Sequence, residues 1–238
     1  MAGTMIHLLT AEKLLPKLTA RQAHYPFDAS LKIEEDYFIA GNICPDGIMA
    51  REGYQRGMKL HTHFRDGIPD GDFDKPGMVP LFERRLREFW GMHQNDEREC
   101  PGLYLGYITH MMTDKRFILE ERPKFFENIL SVGLTEKDRD TFIRFGRETD
   151  LVDFRLIREF PELKRAYESL KRVKPYEIKG MITMDELTGS RNWILGYFFE
   201  TEHQEEESHF LKYDSMVKFV EDITEEIVER LFQEGYLC

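Results

Sequence analysis

The sequence predicts an all-α fold, built as one multi-helix domain over residues 1–238. Three observations support this prediction. Apolar residues recur at helical spacing along most of the chain. No stretch shows a convincing alternation of apolar and polar residues, which would indicate a strand. Hydrophobic residues make up 41% of the chain, which is enough to bury a sizeable core.

The first half of the chain is predicted to alternate between helices and turn-rich segments. The first helix is predicted from Ile6 to Leu18, and Pro16 is expected to kink or end it. The segment from Tyr25 to Lys59 is rich in turn-forming residues, with one short helix near Ile33–Ala40. Phe64 to Gly77 is predicted to be a loop, because turn-forming residues occupy most of its positions.

The rest of the chain is predicted to be almost entirely helical. Pro101 suits the first turn of a helix that continues past Met112. Thr135 suits the N-cap of the following helix, and Gly235 suits the C-terminal stop of the last one. The other predicted helices are Met78–Gln94, Lys124–Leu130, Glu136–Glu148, Asp153–Arg158, Glu162–Val173, Met184–Glu200 and Tyr213–Gly235.

Charge and composition exclude some classes of partner. The chain has 44 acidic and 33 basic residues and a net charge of −11, which disfavours long nucleic acids. No apolar run reaches the length of about 18 residues that predicts a transmembrane segment. The N-terminal residues lack the pattern of a secretory signal, and Cys44, Cys100 and Cys238 are too widely spaced for a disulfide framework. We therefore expect a cytoplasmic protein.

His110 and Asp114 form the first candidate for a chemical site. Their i, i+4 spacing places both side chains on one helical face, where they could bind one cation. A surface hydrogen bond is the other interpretation of this spacing. However, Leu105, Tyr107 and Ile108 make the helix apolar on several sides, and a buried carboxylate needs a cation or several donors.

Three further segments offer metal ligands, each with a structural interpretation beside it. His61 and His63 share a face only in an extended chain, so we expect one ligand and one loop histidine. Asp46 follows Pro45 and is either a ligand or an ordinary turn acid. His7 lies on the apolar face of the first helix, and it is either a ligand or an ordinary core residue. Together these imidazoles and carboxylates predict one or two zinc ions, with iron, manganese or another divalent metal left open.

The order of these segments resembles the zinc-dependent phospholipase C family, whose all-α fold is shared with the P1 nucleases. The resemblance covers about the first half of the chain. It rests on His7 in Ile-His-Leu-Leu, Asp46 in Gly-Asn-Ile-Cys-Pro-Asp, His63 in Thr-His-Phe, and His110 with Asp114 in Leu-Gly-Tyr-Ile-Thr-His-Met-Met-Thr-Asp. The resemblance implies a first metal centre of Asp46, His63, His110 and Asp114. It also implies a neighbouring metal that is held by His7 and shares Asp114.

The sequence departs from the family at the second metal centre. That centre uses a histidine soon after the His-xxx-Asp helix and later a His-xxx-Glu pair. No histidine lies between Asp114 and His203, and the His203–Glu207 pair lies in an acidic run that is expected to be solvated. An acidic replacement site is open at Glu148, Asp150 and Asp153.

The resemblance implies a metal-dependent hydrolase that acts on a small phosphate ester or a phospholipid headgroup. A metal-activated water would be the nucleophile and Asp46 the general base. Lys115 and Arg116 are expected to grip the phosphate, unless they are ordinary surface charges. Asp66 is expected to line the pocket, as are Asp70 and Asp72.

Two alternatives to this function remain open. Four protein ligands complete the coordination of a tetrahedral zinc, so the same residues also fit a non-catalytic, metal-stabilised scaffold or a partner-binding relative. A hydrolase of nucleotides or sugar phosphates is the other alternative. The sequence predicts no oligomeric state.

Overall fold

A computed structural model describes residues 1–24, 32–68 and 70–237, without the side chains of residues 22–24 and 70. Within these residues the chain is mostly helical and forms no β-sheet, which confirms the all-α prediction. The α-helices are α1 (Thr4–His24), α2 (Glu35–Gly41), α3 (Met58–Thr62), α4 (Met78–His93), α5 (Leu103–Leu130), α6 (Arg139–Glu159), α7 (Glu162–Arg172), α8 (Met184–Ile194) and α9 (Tyr213–Gln233). Short 3-10 turns occupy Cys44–Ala50, Asp70–Asp72 and Asp96–Arg98, and a π-helical turn at Leu195–Phe199 extends α8.

Several helices are longer than predicted. Pro16 lies inside α1, and Pro123 lies inside α5, so the predicted helix Lys124–Leu130 is the last part of α5. Each proline removes one helical hydrogen bond, but buried apolar residues on both sides of it keep the helix packed on the core. The predicted helices Glu136–Glu148 and Asp153–Arg158 likewise merge into α6.

Two predictions about helix ends have different outcomes. The Thr135 N-cap is wrong: its hydroxyl donates to the carboxylate of Asp138, and α6 begins at Arg139. Gly235 has φ of 78°, in the left-handed region that terminates a helix, so the predicted stop of α9 is confirmed. Of the predicted turn-rich segment, residues 25–31 lie outside the described residues.

Helix α5 lies in the interior, and every residue from Leu103 to Asp114 is buried. Helix α2 approaches it unusually closely. A Cβ atom on Gly41 would lie 2.1 Å from the carbonyl oxygen of Leu103, and one on Gly106 would lie 2.4 Å from that of Phe38. The two glycines therefore let the helix backbones touch, and this contact brings Asn42, the residue after α2, against the middle of α5.

Three buried carboxylates hold backbone N–H groups that have no helical partner. Asp153 accepts hydrogen bonds from the first residues of α1. Glu97 accepts bonds of 2.8 Å each from the backbone N–H groups of Gly102 and Tyr104, at the start of α5. Glu148 does the same for residues 209–211. These contacts fix the starts of two helices that supply candidate ligands.

None of the helices described here combines the length and the apolar character that crossing a bilayer requires.

Candidate metal centre

Separate parts of the fold bring five of the predicted ligands together. His7 lies on α1, Asp46 on the 3-10 turn Cys44–Ala50, His63 directly after α3, and His110 with Asp114 on α5. The four side chains other than Asp46 are at most 2% exposed, whereas that of Asp46 is 22% exposed. The cluster is therefore buried, with one partly open edge at Asp46.

The distances between the ligand atoms suit a metal ion. Nε2 of His63 lies 3.3 Å from Oδ1 of Asp46 and 3.6 Å from Oδ2 of Asp114. Nε2 of His110 lies 3.7 Å from the same Oδ2. Ligands bound at about 2.0–2.1 Å around a tetrahedral zinc lie about 3.3–3.5 Å apart, which is close to these spacings. Nε2 of both histidines and Oδ2 of Asp114 are buried without a hydrogen-bond partner.

Backbone carbonyl groups orient the two imidazoles. Nδ1 of His110 lies 2.8 Å from the carbonyl oxygen of Asn42, and Nδ1 of His63 lies 2.9 Å from that of Lys59. A carbonyl oxygen only accepts, so Nδ1 carries the proton in each ring and the lone pair is on Nε2. Burial lowers the pKa of His110 to about 3 and also lowers the pKa of His63. Both rings are therefore neutral at pH 7, as metal ligands must be.

The two carboxylate oxygens of Asp114 face different neighbours. Oδ2 faces His63 and His110, while Oδ1 accepts a 2.8 Å hydrogen bond from the backbone N–H of Ala2 and lies 3.4 Å from Nε2 of His7. Burial opposes the ionisation of Asp114, but the bond to His7 and nearby positive charge outweigh it, and its pKa is lowered. Asp114 could thus contact a cation on either side.

The rings of His7 and His110 stack with centroids 3.7 Å apart and planes 8° from parallel. Two groups of residues could each hold an ion: His7, His110 and Asp114, or Asp46, His63 and His110. His110 belongs to both but has one free ring nitrogen, so it can ligate one ion at a time.

The structure places His61 and Asp66 away from this cluster. The His61 side chain is 63% exposed, and its Nδ1 pairs with Asp66 at 2.8 Å on the surface. Asp66 does not line the cavity described below. His61 therefore lies on the exposed side of α3 rather than in a loop, and it is not brought to the cluster.

The predicted phosphate-binding residues also lie elsewhere. Lys115 pairs with Glu83 at 2.8 Å, and Arg116 pairs with Glu120 at 2.9 Å and Glu226 at 3.1 Å. Lys115 and Arg116 come one and two residues after Asp114 on α5. Successive residues of a helix lie on different faces, so both side chains point away from the ligands. Neither lines the cavity, so they correspond to the surface-charge interpretation.

The acidic and histidine candidates of the second half have structural partners. The ring of His203 stacks on that of Phe154 with centroids 3.7 Å apart, and its Nε2 donates to the carbonyl of Tyr197 at 2.5 Å. Glu148 and Asp153 hold backbone N–H groups, as described above. Asp150 accepts a 3.0 Å hydrogen bond from the Tyr197 hydroxyl. None of them joins the two groups of possible metal ligands found among the described residues.

Asp72, one of the loop acids after His63, has a partner of its own. Asp72 pairs with Lys75 at 2.6 Å and does not line the cavity. The side chain of Asp70 lies outside the described part of the structure.

A cavity of about 1090 Å³ opens beside the ligand cluster, and Asp46 and His63 form part of its wall. Helix α6, the end of α8 and the π-helical turn supply most of its aromatic lining. The aromatic side chains of this lining are Phe126, Phe142, Phe145, Trp193 and Phe198, together with Tyr54. The cavity therefore has an apolar wall next to a polar end.

The charged lining of the cavity is positive, although the whole chain is acidic. Four cationic side chains line it, against three carboxylates. Burial raises the pKa of Asp150 and raises that of Asp153 well above its ordinary value. The cations are Arg56, Lys59, Arg65 and Arg122.

These four cations were not predicted from the sequence, although the sequence contains one signal for Lys59. Lys59 precedes His63 by four residues, and the backbone N–H of His63 donates to the carbonyl of Lys59 at 3.1 Å, so the two residues lie one above the other across one helical turn. The ammonium of Lys59 lies 2.5 Å from Oδ1 of Asp46. Burial opposes the ionisation of Asp46, but Lys59 and His63 outweigh it and hold its pKa well below the ordinary value.

Comparisons with protein-family models, with curated proteins and with solved structures find no match to this chain. The class of the site is therefore defined by its own geometry: a buried group of histidines and aspartates that could hold a metal ion, beside a cavity.

Proposed function

We propose that this protein is a metal-dependent hydrolase of phosphate esters, resembling zinc-dependent phospholipase C. The observation that supports it most is the set of buried Nε2 and carboxylate atoms that lie at ligand spacing, several of them without a hydrogen-bond partner. Leaving such atoms unpaired costs free energy unless a cation satisfies them.

In this proposal Asp46, His63, His110 and Asp114 would hold a zinc ion, and a catalytic role would require this site to expand to five ligands so that a water can bind. When bound, zinc supplies a hydroxide nucleophile at neutral pH and polarises a phosphoryl oxygen. Asn42 and Lys59 keep the imidazoles oriented through their carbonyl groups. His7 and Oδ1 of Asp114 provide the position for a second, neighbouring ion.

Access to the cluster favours catalysis over a purely structural metal. Structural zinc sites are closed on all sides, whereas Asp46 and His63 reach the cavity wall. Asp46 is thus placed to accept a proton from a water in the cavity, as the general base. The cationic lining suits a phosphate group in a protein that otherwise repels anions.

The apolar wall supports a substrate with an apolar part. A cavity of this size lined by aromatic side chains can bury a hydrocarbon or ring group while the phosphate lies at the cationic end. A phospholipid, whose acyl chains are apolar, fits this description better than a sugar phosphate, which is polar throughout.

The first prediction tests the metal and the chemistry together. We expect the purified protein to contain zinc by elemental analysis and to hydrolyse a chromogenic phosphate mono- or diester. His110→Ala and Asp114→Ala should each lose more than about 100-fold of this activity, because each removes a metal ligand. Circular dichroism should show that both variants remain helical.

His61→Ala is the matched control, because it removes an exposed imidazole two residues from His63. It should retain both zinc and activity. A metal-loaded protein that hydrolyses none of the esters, and whose ligand variants unfold, would contradict the hydrolase and support the metal-stabilised scaffold.

A further inference from the structure

We propose that Lys59 is a built-in counter-cation of the metal site, which pairs with Asp46 in the metal-free protein and competes with a divalent ion for that carboxylate. The inference rests on the metal site of the proposed function. It assigns Lys59 a role as a positioning residue that sets metal affinity.

The position of the ammonium carries this inference. Nζ of Lys59 lies 2.5 Å from Oδ1 of Asp46, and this same oxygen lies 3.3 Å from Nε2 of His63. The two side chains are 13% and 22% exposed, so water screens the pair only in part. The ammonium therefore shares the carboxylate oxygen that the metal ion would use.

A positive charge is needed at this place when no metal ion is bound. Carboxylate oxygens of Asp46 and Asp114 lie 3.3 Å and 3.6 Å from the same His63 nitrogen. Two neighbouring buried carboxylates repel each other. Lys59 supplies such a charge through its ion pair with Asp46, and the terminal ammonium of Met1 contributes positive charge near Asp114.

Lys59 also acts through its backbone, because its carbonyl oxygen accepts the Nδ1 proton of His63 at 2.9 Å. One residue therefore orients an imidazole ligand with its main chain and neutralises a carboxylate ligand with its side chain. Substitution of the side chain alters the second effect and leaves the first in place.

Binding of a divalent ion at Oδ1 of Asp46 requires the ammonium to withdraw. The side chain already lines the cavity, so it can move there without crossing the core. Breaking the Lys59–Asp46 pair is a cost that the metal must offset. Lys59 therefore stabilises the metal-free fold and weakens metal binding, which are opposite effects of one side chain.

The test is Lys59→Met, which removes the charge and keeps most of the apolar stem. Zn²⁺ affinity is measured by competition with a chromophoric chelator, and Tm is measured on the metal-free protein. We expect Zn²⁺ to bind about tenfold more tightly, the lower end of the range that outer-shell contacts change. The Tm of the metal-free variant should fall. Lys59→Arg keeps the charge and should stay close to the wild type in both measurements.

Lys115→Met is the matched control. Its lysine is as buried as Lys59, with the side chains of Lys115 and Glu83 13% and 14% exposed and their charged atoms 2.8 Å apart, and the pair lies away from the cavity. This variant should lose stability without any change in Zn²⁺ affinity.

The outcomes separate this inference from the proposed function. A wild type that binds Zn²⁺, with a Lys59→Met variant that binds it equally or more weakly, overturns the role of Lys59 and leaves the metal site standing. A wild type that binds no Zn²⁺ overturns the metal site and the inference with it. A Lys59→Met protein that folds only when Zn²⁺ is added supports the inference, because the ion then replaces the ammonium.

Discussion

His110 shows how single residues of the centre are held in place. Its i, i+4 relation to Asp114 and its apolar neighbours could be recognised in the sequence. The acceptor of its Nδ1 proton could not be recognised, because the carbonyl of Asn42 comes from a segment 68 residues earlier in the chain. A backbone carbonyl carries no residue-specific signal, so only the packing of α2 on α5 reveals it.

Glu12 gives a pH prediction away from the metal ligands. It is 3% exposed, and its Oε2 lies 3.0 Å from Nε of Arg165. Burial raises the pKa of Glu12 from 4.5 to about 7, although Arg165 partly opposes the shift. Between these two values the folded state binds more protons than the unfolded state, so stability falls as the pH rises from 4.5 to 7 and then levels off.

Glu12→Gln should remove this loss. In this variant, the unfolding free energy should fall by about 1 kcal/mol less between pH 5 and pH 8 than it does in the wild type. One pKa unit corresponds to about 1.4 kcal/mol, but solvent around Arg165 reduces the effect. Urea unfolding at both pH values measures it. Glu88→Gln, which alters a side chain 59% exposed, should leave the profile unchanged. An unaltered profile in Glu12→Gln would contradict the assignment.

At the scale of elements, the contact between α2 and α5 positions His110. Gly106→Ala should destabilise the protein by about 2 kcal/mol, because its Cβ would lie 2.4 Å from the carbonyl oxygen of Phe38. It should also weaken Zn²⁺ binding, because His110 lies one turn further along α5 and depends on the adjacent Asn42. Thermal unfolding and chelator competition measure the two effects.

Gly91→Ala is the control for this substitution. Gly91 lies in α4, and a Cβ atom there meets no atom within 4 Å. Alanine is the better helix former by about 1 kcal/mol, so this variant should be at least as stable as the wild type. Equal stability of the Gly91 and Gly106 variants would show that the helix contact is not close.

The helices themselves were predictable where one apolar stripe is continuous. The bounds of α4 and α9 follow the predicted ranges within two residues. The errors occur at Pro16 and Pro123, where local chemistry predicts a break and tertiary packing overrides it. The spacing of α2 and α5 was not predictable, because Gly41 and Gly106 lie far apart in sequence and neither marks its partner.

At the scale of the molecule, the candidate ligands join α1, α3, α5 and the turn Cys44–Ala50. An ion bound by them acts as a cross-link between segments that are distant in sequence. If zinc is present at about 100 times its Kd, it stabilises the fold by about 2.7 kcal/mol. Removal of the metal with a chelator should therefore lower Tm by about 5–10 °C.

Two variants check the source of this change in Tm. His61→Ala should respond to the chelator like the wild type, because its imidazole lies outside the cluster. His63→Ala should have a low Tm that the chelator scarcely alters. A wild-type Tm that does not change on chelation would argue against a metal that joins these segments.

The order of motifs in the first half of the chain predicted the ligand cluster, but nothing predicted the cavity. Its wall combines α6 and α8 with residues near Asp46 and His63, so it exists only after the two halves pack. Lys115 and Arg116 were predicted to bind phosphate because they follow Asp114 in the sequence. In the fold they pair with Glu83 and Glu226, and the cationic lining of the cavity comes from other residues.

Asp153 lies between the cavity and the beginning of α1. It lines the cavity, and it holds the first backbone N–H groups of α1, the helix that carries His7. The carboxylate packs tightly against the chain at Gly3, since a Cβ atom on Gly3 would lie 2.4 Å from Oδ1 of Asp153. A molecule that enters the cavity and displaces this carboxylate would also displace the beginning of α1. Such a molecule would link occupancy of the cavity to the placement of His7, and each would influence the other by the same free energy.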